Sequence, residues 1–231
     1  METIKTIFEL FFYQPLFNAL ILIYNLLPGA GLGITIIIFT VLIKLALYPL
    51  SAKAIRSQKS LAKISPKVKE IQEKHKNDKE KQAKELMEFY SREKINPFSG
   101  CFPVLLQLPI LIALFRIFQS SFAPEKMGFL YNFVSNPGPI STNFLGLVDL
   151  ARPSAVLAIL AGVSLFFQVK ISAPKIKSKN ANDFQAIMQK QMQFVLPFFT
   201  IIILLNLPSA LGLYWLTSTI FAIGQHYIIN R

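Results

Sequence analysis

The stretch GLGITIIIFTVLIKLALYPL, residues 31–50, decides how the rest of the chain is read. It is apolar and long enough to cross a bilayer, since about 20 such residues span about 30 Å of hydrocarbon. Yet Lys44 sits inside it. A lysine at membrane depth costs about 2.5–3.5 kcal/mol on insertion scales, so it calls for a wet or anionic environment. Thr40 lies one turn before it and Tyr48 one turn after it on the same helical face. The helix therefore carries a polar stripe, Thr40–Lys44–Tyr48, in a wall of Ile, Leu and Val. Two readings stand on this helix alone. Lys44 snorkels to the headgroups, or it lines a polar cavity with a function, the usual meaning of intramembrane charge.

Composition extends the membrane reading to the whole chain. Of its 231 residues, 53% are hydrophobic and 16% are charged, against about 25% charged in soluble domains. The expected class is all-α, a polytopic membrane protein. The single Cys101 excludes an internal disulfide, and with only two distant histidines, His75 and His226, it makes no conventional structural zinc site. The N-terminus lacks a basic segment followed by a short apolar core and a small-residue cleavage site, so the expectation is an uncleaved chain.

Upstream of the opening stretch, residues 8–27 are rich in Phe and Leu, but Gln14, Asn18 and Asn25 share one helical face. Pro28-Gly29-Ala30-Gly31 ends the segment. It is either a further span or a helix lying in the interface; the polar stripe and the aromatic load favour the interface. Residues 1–30 are taken as this unit and 31–50 as the first span.

Downstream, residues 51–100 hold 13 Lys/Arg and 7 Asp/Glu. Leu61, Ile64, Val68 and Ile71 recur at helical spacing, and Ala83, Met87 and Tyr90 follow a Lys76-Asn77-Asp78-Lys79 turn. The pattern predicts two amphipathic helices in an antiparallel hairpin, ended by Asn96-Pro97-Phe98-Ser99-Gly100. Acids interleaved with bases read as a solvated face, with ribosomal RNA or anionic headgroups as candidate contacts.

Residues 101–122 form the second expected span, with Pro103 and Pro109 tolerated where neighbours repair the freed carbonyls. Its polar points, Gln107 and Arg116, face opposite sides. For Arg116 the reading is snorkelling, or pairing with Asp149 at the same surface. An external loop, 123–145, precedes a third span, 146–169, in which Ser164 and Gln168 stand one turn apart. A polar loop, 170–190, carries five lysines and Asp183. Residues 191–229 contain no Asp, Glu, Lys or Arg, and about 60 Å of helix is too long for one crossing. Asn206-Leu207-Pro208-Ser209 divides it into spans 191–207 and 208–231. Trp215, Ser218 and Thr219 form a polar patch on the last. Patches on three helices could enclose one wet cavity. The alternatives are interhelical glue for Ser164, Ser218 and Thr219 and an interfacial belt position for Trp215.

Lys/Arg counts orient the five spans. With 51–100, 170–190 and Arg231 in the cytoplasm, 19 of the 24 basic residues lie inside. The N-terminus is then outside and the C-terminus cytoplasmic.

Taken together, the segments resemble the YidC/Oxa/Alb membrane protein insertases of the short bacterial type. The resemblance rests on the aromatic start FFYQPLFNALILIYNLLPG, the IKLALYPLS step, the charged hairpin, the block NPFSGCFPVLLQLPILIALF and the final LPSALGLYWLTSTIFAIGQHYIINR. It implies a five-span core with a hydrophilic groove, open to the cytoplasm and sideways to lipid, plus an outer interfacial helix and a cytoplasmic hairpin acting as a mobile lid. It implies that Lys44 stands where the family usually has the groove arginine, and that Thr40, Gln168 and Trp215 match groove-facing positions. Gln107, Ser164, Ser218 and Thr219 are added as candidate groove residues. Leu61, Ile64, Val68, Ile71, Met87 and Tyr90 form the hairpin's apolar faces. The implied partners are nascent membrane proteins and the lipid bilayer of the bacterial plasma membrane, with the Sec translocon and the ribosome as candidates. The family's long basic tail is not expected beyond Arg231. No cofactor, metal or catalytic residue is expected, and no P-loop pattern occurs. Two other classes compete with this one. A transporter of an anionic solute at Lys44 calls for internal repeats, which the sequence does not display. An enzyme calls for clustered chemistry at one depth, and Asp149 is the only acid within a predicted span.

Overall fold

A computed structural model describes residues 2–96, 102–119, 124–172 and 184–230. The hairpin end at 97–100, Cys101 and the lysine-rich part of the 170–190 loop from 173 to 183 lie outside the described residues. The described residues are mostly helical. The helices are α1 (Glu2–Phe8), α2 (Gln14–Leu26), α3 (Gly31–Ala46), α4 (Tyr48–Lys74), α5 (Lys79–Arg92), α6 (Phe102–Gln119), α7 (Ala155–Ser172), α8 (Phe184–Leu204) and α9 (Ser209–Asn230). Two short strands, β1 (Asn143–Phe144) and β2 (Val148–Asp149), pair antiparallel between α6 and α7, with Asn143 opposite Asp149.

Prolines set several boundaries. Pro15 cannot donate to the Phe11 carbonyl and crowds it, and the turn joining α1 to α2, Glu9–Tyr13, widens to a π-helix. Pro49 has the same effect on Leu45. The apolar run 31–50 is consequently not one rod. α3 ends at Ala46, and α4 departs from it by 63°. Tyr48 belongs to α4, so the expected stripe Thr40–Lys44–Tyr48 is cut after Lys44. The third apolar run also starts later than its sequence pattern: residues 146–149 complete the β-hairpin, Pro153 follows, and α7 begins at Ala155.

The core sits where α9 packs against α3 and α7, with α7 also against α8 and α2 against α3 and α6. Phe17, Leu20 and Ile21 of α2 meet Ile36 and Phe39 of α3, Leu114 and Ile117 of α6, and Leu211 and Tyr214 of α9 in one buried cluster. Small residues let α7 approach its neighbours closely, the usual device between membrane helices. A Cβ on Gly162 would overlap the Ile201 side chain and stand 3.2 Å from the Pro197 carbonyl. Gly162→Ala is expected to push α8 off α7 and cost about 1–3 kcal/mol, seen as a lowered unfolding midpoint in detergent; an unchanged midpoint refutes the close-approach argument.

The polar stripe of α2 has a structural task. Asn18 is buried, its Nδ2 donating to the Gln14 and Phe129 carbonyls (2.8 and 2.9 Å) and its Oδ1 accepting from Tyr131 N–H (2.7 Å). Gln14 Nε2 also donates to Phe129 O, and Asn25 Nδ2 to Ser135 O. These amides hold the backbone of the loop after α6. The same loop satisfies helix starts, whose first N–H groups have no partner within the helix. Leu32 N–H donates to Ser141 O, Ser209 N–H to Arg152 O and Ala210 N–H to Leu150 O.

Arg116 lies 4.0 Å from the Glu9 carboxylate and its guanidinium stands over the Phe8 ring. The expected partner, Asp149, instead accepts from Thr142 Oγ1 (2.8 Å) and Ala151 N–H and faces Arg152. Those two hydrogen bonds, and then Arg152, hold its carboxyl below the usual range. The sequence-based pairing is corrected because Arg116 points toward the first helix, not toward the β-hairpin.

α5 returns along α4 after residues 75–78. Asp78 caps α5 by accepting from Lys81 N–H. Glu85 bonds Lys74 (3.1 Å) and His75, and Gln82 Nε2 donates to Gln72 O (2.6 Å). The Lys74 hydrogen bond, aided by His75, holds the Glu85 carboxyl below its ordinary range. Val68 is buried and Leu61, Ile64, Ile71 and Tyr90 are partly covered, whereas Met87, expected on the inward face, is 56% exposed. The polar ties at Gln82 and Glu85 rotate α5 so that Leu86 and Phe89 are the partly covered apolar residues beside Tyr90.

By length and apolarity, Lys5–Leu26 and Ala155–Ser172 are each long enough to cross a membrane among the described residues. Gly31–Ala46 with Tyr48–Lys74 qualifies only as a bent pair, and Gln107–Gln119 and Gln191–Leu204 are shorter apolar helices.

Candidate functional site

A cavity of about 230 Å³ opens where the end of α3, the start of α4, and helices α6, α7 and α9 converge. Lys44 and Leu47 face it from the α3–α4 bend. Leu50, Ser51, Ala54, Ile55 and Gln58 follow along α4. Gln107 comes from α6, Gln168 and Ser172 from α7, and Ala222, Gln225 and His226 from α9. Its walls combine aliphatic surface with four glutamine amides and one ammonium group. No acid is among the described residues that line it.

The bend creates this place. A straight helix would carry α4 past the bundle; the 63° turn swings Ser51 and Gln58 beside α9 instead. Gln225 fixes the junction: its Nε2 donates to Ser51 Oγ (2.6 Å) and approaches Tyr48 O (3.4 Å). Lys44 Nζ donates to Gln107 Oε1 at 3.2 Å, and Gln107 Nε2 donates to the Tyr214 hydroxyl. An amide that accepts from an ammonium and donates onward stabilises the charge without cancelling it. Chemically, the cavity presents a cation and neutral polar groups inside an apolar bundle. That arrangement suits an acidic or strongly hydrogen-bonding guest.

The sequence-derived candidates divide cleanly. Lys44, Gln107 and Gln168 line the cavity together. Thr40 lies fully buried one turn below Lys44, its hydroxyl donating back to Ile36 O at 2.6 Å. Ser164 and Thr219 hydrogen-bond each other across α7 and α9 at 2.6 Å, and Ser218 is buried beside them in α9. Trp215 is half-buried against the apolar core. Ser51, Gln58, Ser172, Gln225 and His226 were not singled out in the sequence. One signal is available: Ser164, Gln168 and Ser172 continue a single i, i+4 face of α7, and Ser218, Ala222 and Gln225 follow one face of α9 at steps of four and three. The side chains of residues 102–106, part of the resembling block, are outside the described residues. Among the described residues, no group of three or more His, Cys, Asp or Glu is placed to hold a metal ion.

The sequence model of the family described as 60Kd inner membrane protein matches residues 23–231. The chain is 38% identical over 199 residues to the membrane protein insertase YidC of Fusobacterium nucleatum, covering 86% of each chain. It is 35% identical over 211 residues to the insertase of that name from Chlamydia trachomatis, covering 90% of this chain and 26% of the relative. It is also 35% identical over 221 residues to that of Francisella philomiragia, covering 96% of this chain and 36% of the relative. The chain thus spans about a quarter to a third of the length of the latter two and most of the first.

Proposed function

Since this chain belongs to the 60 kDa inner membrane protein family, that of YidC and Oxa, we propose that it inserts nascent membrane proteins into the bacterial membrane and helps them fold. The observation that carries the proposal is the cavity in which Lys44, Gln107 and Gln168 converge without an acid beside them. In this reading α3, α6, α7, α8 and α9 are the five spans. The segment Lys5–Leu26 lies along the outer surface, α4 and α5 form the cytoplasmic lid, and the C-terminus is cytoplasmic. Thr40 and Trp215 flank the groove, with Ser164, Ser218 and Thr219 deeper between α7 and α9.

The task is to move a short hydrophilic tail across the bilayer. In hydrocarbon each unsatisfied polar group of the tail costs several kcal/mol. A wet groove reaching part way in removes much of that cost and shortens the remaining path. Lys44 attracts acidic residues of the tail, and the attraction exceeds its value in bulk water because the surroundings have a lower dielectric constant. The substrate's own apolar helix then passes sideways into lipid. Removing its apolar surface from water, at about 25 cal/mol per Å², drives release without nucleotide hydrolysis. Nascent chains and lipid are the partners; the Sec translocon and, through the basic hairpin, the ribosome are candidates for a second tier.

The test is complementation. Expressed in a bacterium losing its own insertase, this chain is expected to restore insertion of a small single-span protein with an acidic tail, read by protease protection of that tail. Continued failure with well-folded protein in the membrane refutes the proposal.

A further inference from the structure

The turn between β1 and β2 places Leu145 at φ +54° and Gly146 at φ +71°, closed by Leu147 N–H donating to Phe144 O at 3.1 Å. Two successive positive φ values belong to a type I′ turn, whose backbone favours Asn-Gly or Asp-Gly. A leucine in the first position is strained, and here it gains no packing. Leu145 is 72% exposed and Leu147 84%. The base of the same hairpin is tied down. The Phe144 ring occupies the space where a Cβ on Gly33 would stand, and Leu32 N–H bonds Ser141 O. Gly33 lies in the first turn of α3. The 18 residues of α7 rise about 27 Å, close to the thickness of the hydrocarbon core. Ala155, where α7 begins, therefore marks the headgroup boundary, and the hairpin stands at that level. In the same loop is Arg152, which faces Asp149 at 3.5 Å and leaves 84% of its side chain exposed, so it can also reach lipid phosphate.

We propose that this turn is a lipid-dipping tip: Leu145 and Leu147 enter the headgroup–acyl boundary of the leaflet at the end of the bundle where α3, α7 and α9 begin. Two leucines bared on a narrow turn suit a fluid lipid layer better than a shaped protein surface. The exposed Arg152 in the same loop matches anionic headgroups. The tip holds the loop, and through it the starts of three helices, at a fixed depth. The inference rests on α3 and α7 spanning the membrane and is independent of insertase activity.

An environment-sensitive nitrobenzoxadiazole probe placed through Leu147→Cys, in a Cys101→Ser background, tests it in nanodiscs of phosphatidylcholine and phosphatidylglycerol. The expected result is blue-shifted emission, quenched several-fold more by shallow spin-labelled lipid than by iodide. A probe at Asn136 should give water-like emission and iodide quenching. A position-147 probe that behaves like the Asn136 probe overturns the proposal; so does one shielded from both quenchers, which means protein covers the tip. Leu145→Asn keeps the turn chemistry and should reduce lipid quenching at position 147 about two-fold; unchanged quenching also overturns the tip's role. A probe at Val163 of α7, exposed and about 12 Å along the helix from Ala155, reports separately on the spanning reading through deep spin-labelled lipid, so the two failures are distinguishable.

Discussion

Lys44→Glu is expected to abolish insertion of single-span substrates with acidic tails, while Lys44→Arg leaves insertion near its original level. At about 4 Å, two unit charges interact by about 4 kcal/mol at an effective dielectric constant of 20 and by about 1 kcal/mol in bulk water. Reversing the sign in the cavity therefore turns an attraction of a few kcal/mol into a comparable repulsion. No lysine or arginine other than Lys44 is among the described residues lining the cavity. Arginine keeps the charge, and its planar fork of donors can still reach the Gln107 carbonyl that Lys44 uses at 3.2 Å. A substrate with a neutral tail supplies the control. Lys44→Glu should insert it close to normally, which separates lost electrostatics from a misfolded protein. Normal insertion of acidic tails by the Glu variant, measured by protease protection, would falsify the electrostatic account.

The second large effect is structural. Asn18→Leu, of similar size, is expected to destabilise the protein by about 1–3 kcal/mol, the range for stranding a buried hydrogen-bonding group. The substitution removes the acceptor of Tyr131 N–H and one donor to Phe129 O, to which Gln14 stays bonded. The expected signs are an unfolding midpoint lower by about 5–10 °C in detergent, by the scaling for chains of this size, and faster proteolysis after residue 129. If Asn18→Leu unfolds and is cleaved like the parent, the amides of α2 do not hold the loop.

That second case shows why a stripe of polar residues suggests one use and has another. In the sequence, Gln14, Asn18 and Asn25 in an aromatic helix suggest a face turned to headgroups. Periodicity identifies a shared face but not its neighbour, and here a backbone segment more than a hundred residues away supplies the partners. Arg116 is a similar case. Its need for an anion was legible, but Glu9 and Asp149 were equally available on paper, and the packing of α6 against the π-helical turn selected Glu9. The helices α4 and α5 were legible from spacing. The rotation of α5 was not, because polar bonds at Gln82 and Glu85 outweighed Met87 in setting it.

The site was legible in its charge and incomplete in its walls. Lys44 stood out because a lysine in an apolar run is costly, and Gln107 and Gln168 because amides in such runs are few. Ser51, Gln58, Gln225 and His226 gave weaker signals, since they lie where apolar runs meet basic or aromatic ends. They become neighbours only through the bend at Leu47. By itself the sequence determined a mostly helical membrane protein, the positions of its apolar runs and the lysine within one of them that needs a polar setting, because hydrophobic length and the cost of charge act locally along the chain. The tertiary structure alone decided which amide holds that cation, where α3 stops, which groups the α2 stripe binds and where the cavity lies. Each depends on a contact between distant segments, and no local pattern encodes the identity of a distant partner.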